Sequence, residues 1–308
     1  MEDMSKVVQI IGVTGFIGQN LFHALAQRSR PVIGTSRSEN ISENLPFNWS
    51  KPCEGGGVCV ASGVGAVVFC AGLAHINKPS VAQFNAFKGV NVDLALQYAR
   101  AAIAARARRF LYVSSIGVHG ERTIEPYNEN SAFDPVDEYS RSKALAETQL
   151  EAVFRGTQTE LTIIRPPMVY GANAPGNFTR LLSLVRKGLP LPLGGLNNPR
   201  SFISVQNLVS FLVECIDHSD AGGKIFTVSD NDDTTTSEFV REIARADGRS
   251  VMLLPVPEFI FVAGLSVLGH RRAALKMTAP LVVDCSYAMR VLGWHPPYSL
   301  RESLRLSS

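Results

Sequence analysis

Tyr139-Ser140-Arg141-Ser142-Lys143 sets a phenol and an ammonium four residues apart. On a helix that spacing stacks the two side chains on one face. A free phenol has a pKa of about 10, too high for a base at neutral pH. A nearby cation favours the phenolate, which then exchanges a proton with a hydroxyl. Such a pair arises by chance in many helices, and it gains meaning from Ser115. That serine closes the apolar run Arg109–Ser115 upstream. In open parallel sheets the strand ends are where sites are built, and a hydroxyl there can bind the same substrate oxygen as Tyr139.

A second constellation stands near the N-terminus. Gly12-Val13-Thr14-Gly15-Phe16-Ile17-Gly18 joins the apolar run Val7–Gly12 to a helical pattern from Phe16 to about Gln27. Glycines at that junction let the backbone turn sharply and approach a pyrophosphate, which the helix N-terminus favours electrostatically. The spacing is G-x-x-G-x-x-G rather than the general G-x-G-x-x-G. The next strand ends in Gly34-Thr35-Ser36-Arg37-Ser38, without the carboxylate that usually holds the ribose hydroxyls of NAD. Arg37 suits a 2′-phosphate instead. The expected cofactor is NADP or NAD, with Arg37 favouring NADP.

The elements that must position these groups follow a strand–helix alternation. Pro31–Ser36, Ala66–Ala71, Arg109–Ser115 and Leu161–Pro167 read as strands. Val81–Arg106 and Glu138–Phe154 read as helices. Short apolar runs separated by helices predict a parallel sheet covered on both faces. Ser38–Gly65 breaks the rhythm with Pro46, Pro52 and Gly55-Gly56-Gly57, and admits one short strand at Val58–Ala61. Beyond Tyr170 come helices at Asn177–Lys187 and Gln206–Asp217, a strand at KIFTVS and a Pro/Gly-rich loop, LPLPLGGLNNPR. The expected domains are 1–170, with 201–218 returning to it, and a mainly substrate-binding part at 171–308.

Composition narrows the function classes. Lys and Arg total 30 against 27 acidic residues, and a net charge of +3 over 308 residues predicts neither nucleic-acid nor membrane binding. Phe259–Leu268, FIFVAGLSVL, is the most apolar stretch. It is far short of the roughly 20 residues of a membrane span, and a buried or subunit-contact helix is favoured over membrane-interface contact. Cys53, Cys59, Cys70, Cys215 and Cys285 form no C-x-x-C pair and are odd in number. They read as reduced thiols, with no metal site, and with Glu2 and Asp3 at the start the expectation is a cytoplasmic protein.

Taken together and in order, the residues resemble the extended short-chain dehydrogenase/reductase family of nucleotide-sugar epimerases, dehydratases and reductases. The matching residues are Gly12/Gly15/Gly18, Cys70-Ala71-Gly72, Asn91, Ser114-Ser115, Tyr139/Lys143, Arg165-Pro166-Pro167-Met168-Val169-Tyr170-Gly171 and Leu292-Gly293-Trp294-His295-Pro296. The resemblance implies a Rossmann-like doubly wound α/β sheet with a smaller C-terminal substrate domain. It implies catalytic Ser115, Tyr139 and Lys143. It implies cofactor contacts from Gly12, Gly15, Phe16, Ile17, Gly18, Arg37, Ala71, Gly72, Asn91, Lys143 and Pro166. A homodimer through the long helix before Arg106 and the Tyr139 helix is a further implication. The chain departs from the family in having no acidic residue in Gly55–Ser62, and His119 where relatives often carry tyrosine.

The residues after Ser115 separate the reactions within that family. Dehydratases place Asp-Glu there because elimination of water needs an acid and a base. Here the pair is Ile116-Gly117, which transfers no protons, and the cysteine of the 3,5-epimerase/reductases is absent as well. Hydride and proton exchange at one carbon, C4, remains. By the same resemblance Asn177 and Arg200 fall where side chains meet the diphosphate of a UDP-sugar, and Arg forks pair phosphate oxygens. The run GNFTRLLSLVRKGLPLPLG is similar to a bacterial branch acting on UDP-N-acetyl sugars for O-antigen or capsule. The expectation leans slightly to a 4-keto reductase, through Arg37. A UDP-sugar 4-epimerase with retained NAD and a non-catalytic NAD(P)-binding sensor or assembly protein are the alternatives.

Overall fold

The computed structural model describes residues 6–36, 48–49, 58–73 and 81–307, with backbone only at 48–49 and 81–83. Arg37 and most of the stretch from Ser38 to Gly57 lie outside the described residues. The strands are β1 (Val8–Ile11), β2 (Val32–Thr35), β3 (Asn48–Trp49), β4 (Ala66–Phe69), β5 (Arg109–Val113), β6 (Glu160–Arg165), β7 (Met168–Tyr170), β8 (Pro199–Arg200), β9 (Phe202–Ser204), β10 (Lys224–Thr227) and β11 (Thr234–Thr235). The helices are α1 (Phe16–Gln27), α2 (Val81–Phe87), α3 (Leu94–Ala104), α4 (Glu138–Phe154), α5 (Asn177–Arg186), α6 (Val205–Asp217), α7 (Thr236–Ala246), α8 (Glu258–Val267), α9 (Arg271–Thr278), α10 (Ser286–Leu292) and α11 (Leu300–Arg305).

One parallel sheet dominates, in the order β3-β2-β1-β4-β5-β6-β10. This is the Rossmann-like α/β architecture expected from the sequence. The strands are apolar on both faces because both are covered. Val8, Ile10, Val68, Leu111 and Ile164 share one core with Leu21, Leu25, Leu208, Phe211 and Trp294. Val67, Phe69, Phe110, Tyr112 and Ile163 share the opposite core with Leu96, Ala99, Leu150 and Phe154. The order reverses between β1 and β4, which opens the crevice where such sheets bind ligands. A third core of Tyr170, Phe178, Leu191, Phe202, Phe239, Ile243, Phe261 and Leu304 holds the C-terminal lobe together. Phe16 packs against both this core and the one beneath the sheet.

Four expectations need correction. Val58–Ala61 forms no strand. The buried Gln9 side chain takes the partner's place, donating to the Cys59 carbonyl at 2.9 Å and accepting from the Ala61 N–H at 3.0 Å. Cys59 is disulfide-bonded, so the reading of every cysteine as a reduced thiol fails there, while Cys70, Cys215 and Cys285 are free. The apolar stretch 259–268 is helical, as α8, yet only Phe261 of that helix is buried. The long helix read from Val81 to Arg106 is interrupted by a π-helical turn at Lys88–Asp93, closed by the Leu94 N–H on the Gly89 carbonyl. Among the described residues no helix is long and apolar enough to cross a membrane.

Candidate active site

The crevice is lined by two loops that meet without side chains between them. Gly12 has φ +87°, and a Cβ there would lie 2.7 Å from the Ala71 N and Cα atoms. A Cβ at Gly18 would lie 2.3 Å from the Gly12 carbonyl oxygen. Only glycine allows this approach of loop, loop and helix. Gly15 caps α1 without any side-chain hydrogen bond. The first-turn N–H groups thus keep their claim on an external anion. These observations fit a dinucleotide pyrophosphate.

Asn91 fixes the second loop. Its Oδ1 accepts from the Leu73 N–H at 3.0 Å, and its Nδ2 donates to the Leu73 carbonyl at 3.1 Å and to Ser142 Oγ at 2.9 Å. Its own carbonyl accepts from the Tyr112 hydroxyl at 3.0 Å. A side chain at Gly72 would meet Asn91 Oδ1 at 3.5 Å and Lys143 Nζ at 3.6 Å. Asn91, Gly72 and Lys143 therefore lie around one point at the mouth of the crevice. Pro166, buried, accepts from the Ile116 N–H at 2.9 Å through its carbonyl and so sets the loop after Ser115.

Helix α4 starts at Asp137, whose carboxylate accepts from the Ser140 N–H at 2.7 Å. Such a cap is worth about 1 kcal/mol, and it starts the turn that carries Tyr139. The Ser115 hydroxyl is near enough to the Tyr139 phenol to draw its pKa down, and it accepts from the Gly117 N–H at 3.2 Å. Phe87 meets the Tyr139 ring edge-on at 6.1 Å between centroids. One turn on, Lys143 Nζ donates to the Val113 carbonyl at 2.8 Å and lies 4.6 Å from the centroid of the Tyr112 ring. The structure thus brings Ser115, Tyr139 and Lys143 together beside the glycine loops.

The protein's own charges favour the neutral phenol of Tyr139. Burial pushes the Tyr139 phenol up to about 12, and Asp137 adds to that; the nearby Ser115 hydroxyl pulls against it. In the protein by itself the phenol therefore stays protonated at neutral pH. Burial lowers Lys143 to about 8, with Glu147 and then Cys70 holding it up. The ammonium of Lys143 is thus close to its titration point, and any deprotonation of Tyr139 at neutral pH requires more positive charge than the protein brings.

A buried network behind the site escaped the sequence reading. Glu147, one turn beyond Lys143, accepts from Arg165 Nη2 at 2.6 Å and Nε at 3.0 Å, and from the Ser114 hydroxyl. Arg165 Nη1 lies 3.0 Å from His119 Nε2 and donates to the Glu129 carbonyl at 3.0 Å. Burial lowers His119 to about 4, so it is neutral at pH 7 and fills a structural position. The one available signal was the continuation of the Tyr139/Lys143 stripe to Glu147.

The two residues read as diphosphate contacts stand differently. Asn177 opens α5 and is exposed. Arg200 is half-buried, and desolvation lowers it to about 10. Its Nη1 donates to the Lys276 and Ala279 carbonyls at 2.7 and 2.9 Å, at the C-terminal end of α9. Lys276 and Arg272 in turn pair with Glu121 at 3.1 and 3.5 Å and with Asp137 at 3.8 and 3.9 Å. Helix α9 therefore connects Arg200 to the cap of the Tyr139 helix.

Comparison with known proteins agrees with this geometry. Residues 8–229 match the NAD dependent epimerase/dehydratase family. A UDP-glucose 4-epimerase of Vibrio cholerae is 35% identical, covering 98% of this chain and 94% of its own. An N-acetyl-alpha-D-glucosaminyl-diphospho-ditrans,octacis-undecaprenol 4-epimerase of Escherichia coli O157:H7 is 27% identical over 82% of this chain and 77% of its own. Among solved structures, UDP-glucuronic acid 4-epimerase from Bacillus cereus with NAD superposes with a TM-score of 0.76 at 17% identity, covering 98% and 95% of the two chains. A human epimerase family protein with NADPH gives 0.77 at 20% identity and 98% of both. The chain belongs to the NAD dependent epimerase/dehydratase family, within the extended short-chain dehydrogenases. It is an enzyme of that family, with NAD or NADP as its cofactor.

Proposed function

We propose that the chain interconverts the C4 epimers of a UDP-linked hexose or N-acetylhexosamine, keeping its dinucleotide through the cycle. The observation that carries this reading is the gathering of Ser115, Tyr139 and Lys143 at the mouth of the glycine-lined crevice, where a side chain at Gly72 would meet Lys143 Nζ at 3.6 Å. When bound, the dinucleotide supplies a hydride acceptor and donor. Tyr139 takes the C4 hydroxyl proton and returns it. Ser115 holds that oxygen in line with the phenol. Lys143 keeps positive charge in the pocket and, with Asn91, Ala71 and Pro166, holds the nicotinamide end. Gly12, Gly15, Phe16, Ile17 and Gly18 hold the pyrophosphate. Arg200, its guanidinium oriented by the α9 carbonyls, and Asn177 face the sugar diphosphate. In this reading residues 1–170 with 201–218 form the cofactor part and the remainder of 171–308 closes over the sugar.

Dehydration is disfavoured by residue type, since Ile116 and Gly117 transfer no protons. Between epimerase and 4-keto reductase, the sequence lean to reduction came from Arg37, outside the described residues. The names of the relatives support epimerisation. The purified enzyme is incubated with UDP-glucose and with UDP-N-acetylglucosamine without added cofactor, and the sugar anomeric signals are followed by proton NMR. The expected result is an equilibrium of gluco and galacto forms. Consumption of added NADPH on a 4-keto sugar with no epimer formed would replace this reading by reduction. Cofactor binding without any turnover would leave a sensor.

A further inference from the structure

The last turn of α9 and the extended segment after it stand between two parts of the site. On one side the Leu281 N–H donates to the Pro199 carbonyl at 3.0 Å, and the Ser201 N–H to the Leu281 carbonyl at 2.8 Å. The segment is thereby tied to β8, which carries Arg200. On the other side the Thr123 N–H donates to the Pro280 carbonyl at 2.9 Å, and the Tyr127 N–H to the Val282 carbonyl at 2.9 Å. Those bonds hold the loop that leads into the Asp137 cap.

Lys276 faces both ways. Its carbonyl accepts from Arg200 Nη1 at 2.7 Å, and a cation suits the carbonyl end of a helix. The anchoring occupies Nη1 alone. Nε and Nη2 of Arg200 donate to nothing among the described residues, which leaves an edge of the fork for an anion. The Lys276 ammonium reaches Glu121 at 3.1 Å and Asp137 at 3.8 Å. Arg272, one turn earlier, stands 3.5 and 3.9 Å from the same two carboxylates. The carboxylates are the sheltered members, their side chains 18% and 26% exposed. Burial pushes the Asp137 carboxyl up, yet the Ser140 hydrogen bonds, then Lys276 and Arg272, bring it below its usual range. It is therefore an anion at neutral pH. A helix cap needs only an acceptor oxygen, which serine supplies as well. The charge of Asp137 has a further use, since two cations of the C-terminal lobe converge on it two residues before Tyr139.

We propose that Lys276 is a positioning residue that couples the grip of Arg200 on the substrate diphosphate to the placement of Tyr139, acting through Asp137. The coupling rests on the reading of Arg200 as a diphosphate contact. An anion on the free edge of Arg200 stiffens the end of α9, whose Lys276 and Arg272 then fix Asp137 and the first turn of α4. Binding energy gained at the nucleotide end of the substrate is in this way spent on aligning the phenol.

The test uses the full chain with its dinucleotide, and UDP as the probe. Amide hydrogen exchange is followed in peptides covering 137–143, where the Ser140 N–H donates to Asp137. In the wild type, saturating UDP slows exchange there about fivefold, the upper end for one partly exposed ion pair. Lys276→Met still binds UDP, because the backbone carbonyl remains, but exchange at 137–143 no longer responds. Lys276→Arg restores the response. Asp137→Ser keeps a cap and loses the response. With the UDP-sugar as substrate, Lys276→Met and Asp137→Ser each lower kcat about fivefold with KM within about twofold, and the double variant is no slower than either. UDP that binds the wild type without slowing exchange overturns the proposal. So does a response that survives in Lys276→Met, or losses that multiply in the double variant. Failure of UDP to bind removes the diphosphate reading and the proposal together. A UDP response without turnover of UDP-glucose or UDP-N-acetylglucosamine upholds the coupling and rejects the proposed reaction instead.

Discussion

Replacing Glu147 by Gln separates the buried network from the reacting groups and gives two readouts. The Glu147 side chain is 1% exposed and that of Arg165 3%. Among the described residues the carboxylate is the only charged partner of the guanidinium, at 2.6 Å, and it also accepts from Ser114. Removing one member of a buried pair leaves the other charge uncompensated and costs roughly 3–5 kcal/mol. Glutamine retains an acceptor for one Arg165 nitrogen, and Arg165 keeps the Glu129 carbonyl, so the loss falls near about 3 kcal/mol. That is more than a hundredfold in the folded-to-unfolded ratio, read as a lower urea midpoint with unchanged slope. The second readout is Lys143. Burial lowers the Lys143 pKa to about 8 while Glu147 holds it up, so losing that carboxylate lowers it further. If turnover needs the ammonium, activity falls as pH rises through the Lys143 pKa, and in Glu147→Gln that alkaline limb moves to lower pH. A variant destabilised by less than about 1 kcal/mol in urea unfolding would refute the buried-pair energetics. An unmoved alkaline limb in a folded variant would refute the coupling to Lys143.

Four further outcomes follow from the geometry. Tyr139→Phe lowers turnover at least about a hundredfold while cofactor binding, measured by fluorescence titration, stays intact; near-normal turnover would remove the phenol from the reaction. Gly18→Ala forces a Cβ against the Gly12 carbonyl, and the purified variant should carry no cofactor after denaturation and chromatography. Arg200→Ala should raise KM for the UDP-sugar with kcat little changed; a fall in melting temperature with unchanged KM would make it only the cap of α9. Lys143→Met should be more stable than wild type at pH 7, because burial of the amine disfavours its charged form. The wild-type amine binds protons in the unfolded chain up to its ordinary 10.5 but in the folded one only to about 8. Wild-type stability from this group therefore rises between those values, and the gap to Lys143→Met should narrow as pH climbs through them.

Much of the cofactor half was legible because local signals agreed with one another. Helices α1 and α4 start and end where the sequence placed them, since a glycine turn and the Asp137 cap mark their beginnings. Ser115, Tyr139 and Lys143 come together because strand end and helix face are fixed by sequence spacing. What stayed hidden depended on partners distant along the chain. Glu147 reads as a solvated helix charge until α4 is laid against β6 and Arg165 reaches it. Gln9 reads as a polar interruption of an apolar strand, and only the fold shows it standing in for a missing strand partner. Helix α8 misled in the other direction: apolar composition suggested burial, and nothing in its own residues says that the core contacts only one of its sides.

The π-helical turn at Lys88–Asp93 acts as a splice between two helices set out of phase. Each bond in it spans one residue more than an α-helical bond, so what precedes the turn is rotated by about 100° from where an uninterrupted helix would put it. That offset lets Asn91 point inward to Leu73 and Ser142 while Phe87 still reaches Tyr139. Deleting a single residue within 88–93 would restore a regular helix and swing Phe87 off the tyrosine ring. The surplus residue is what keeps the crevice loop and the phenol in step along one rod.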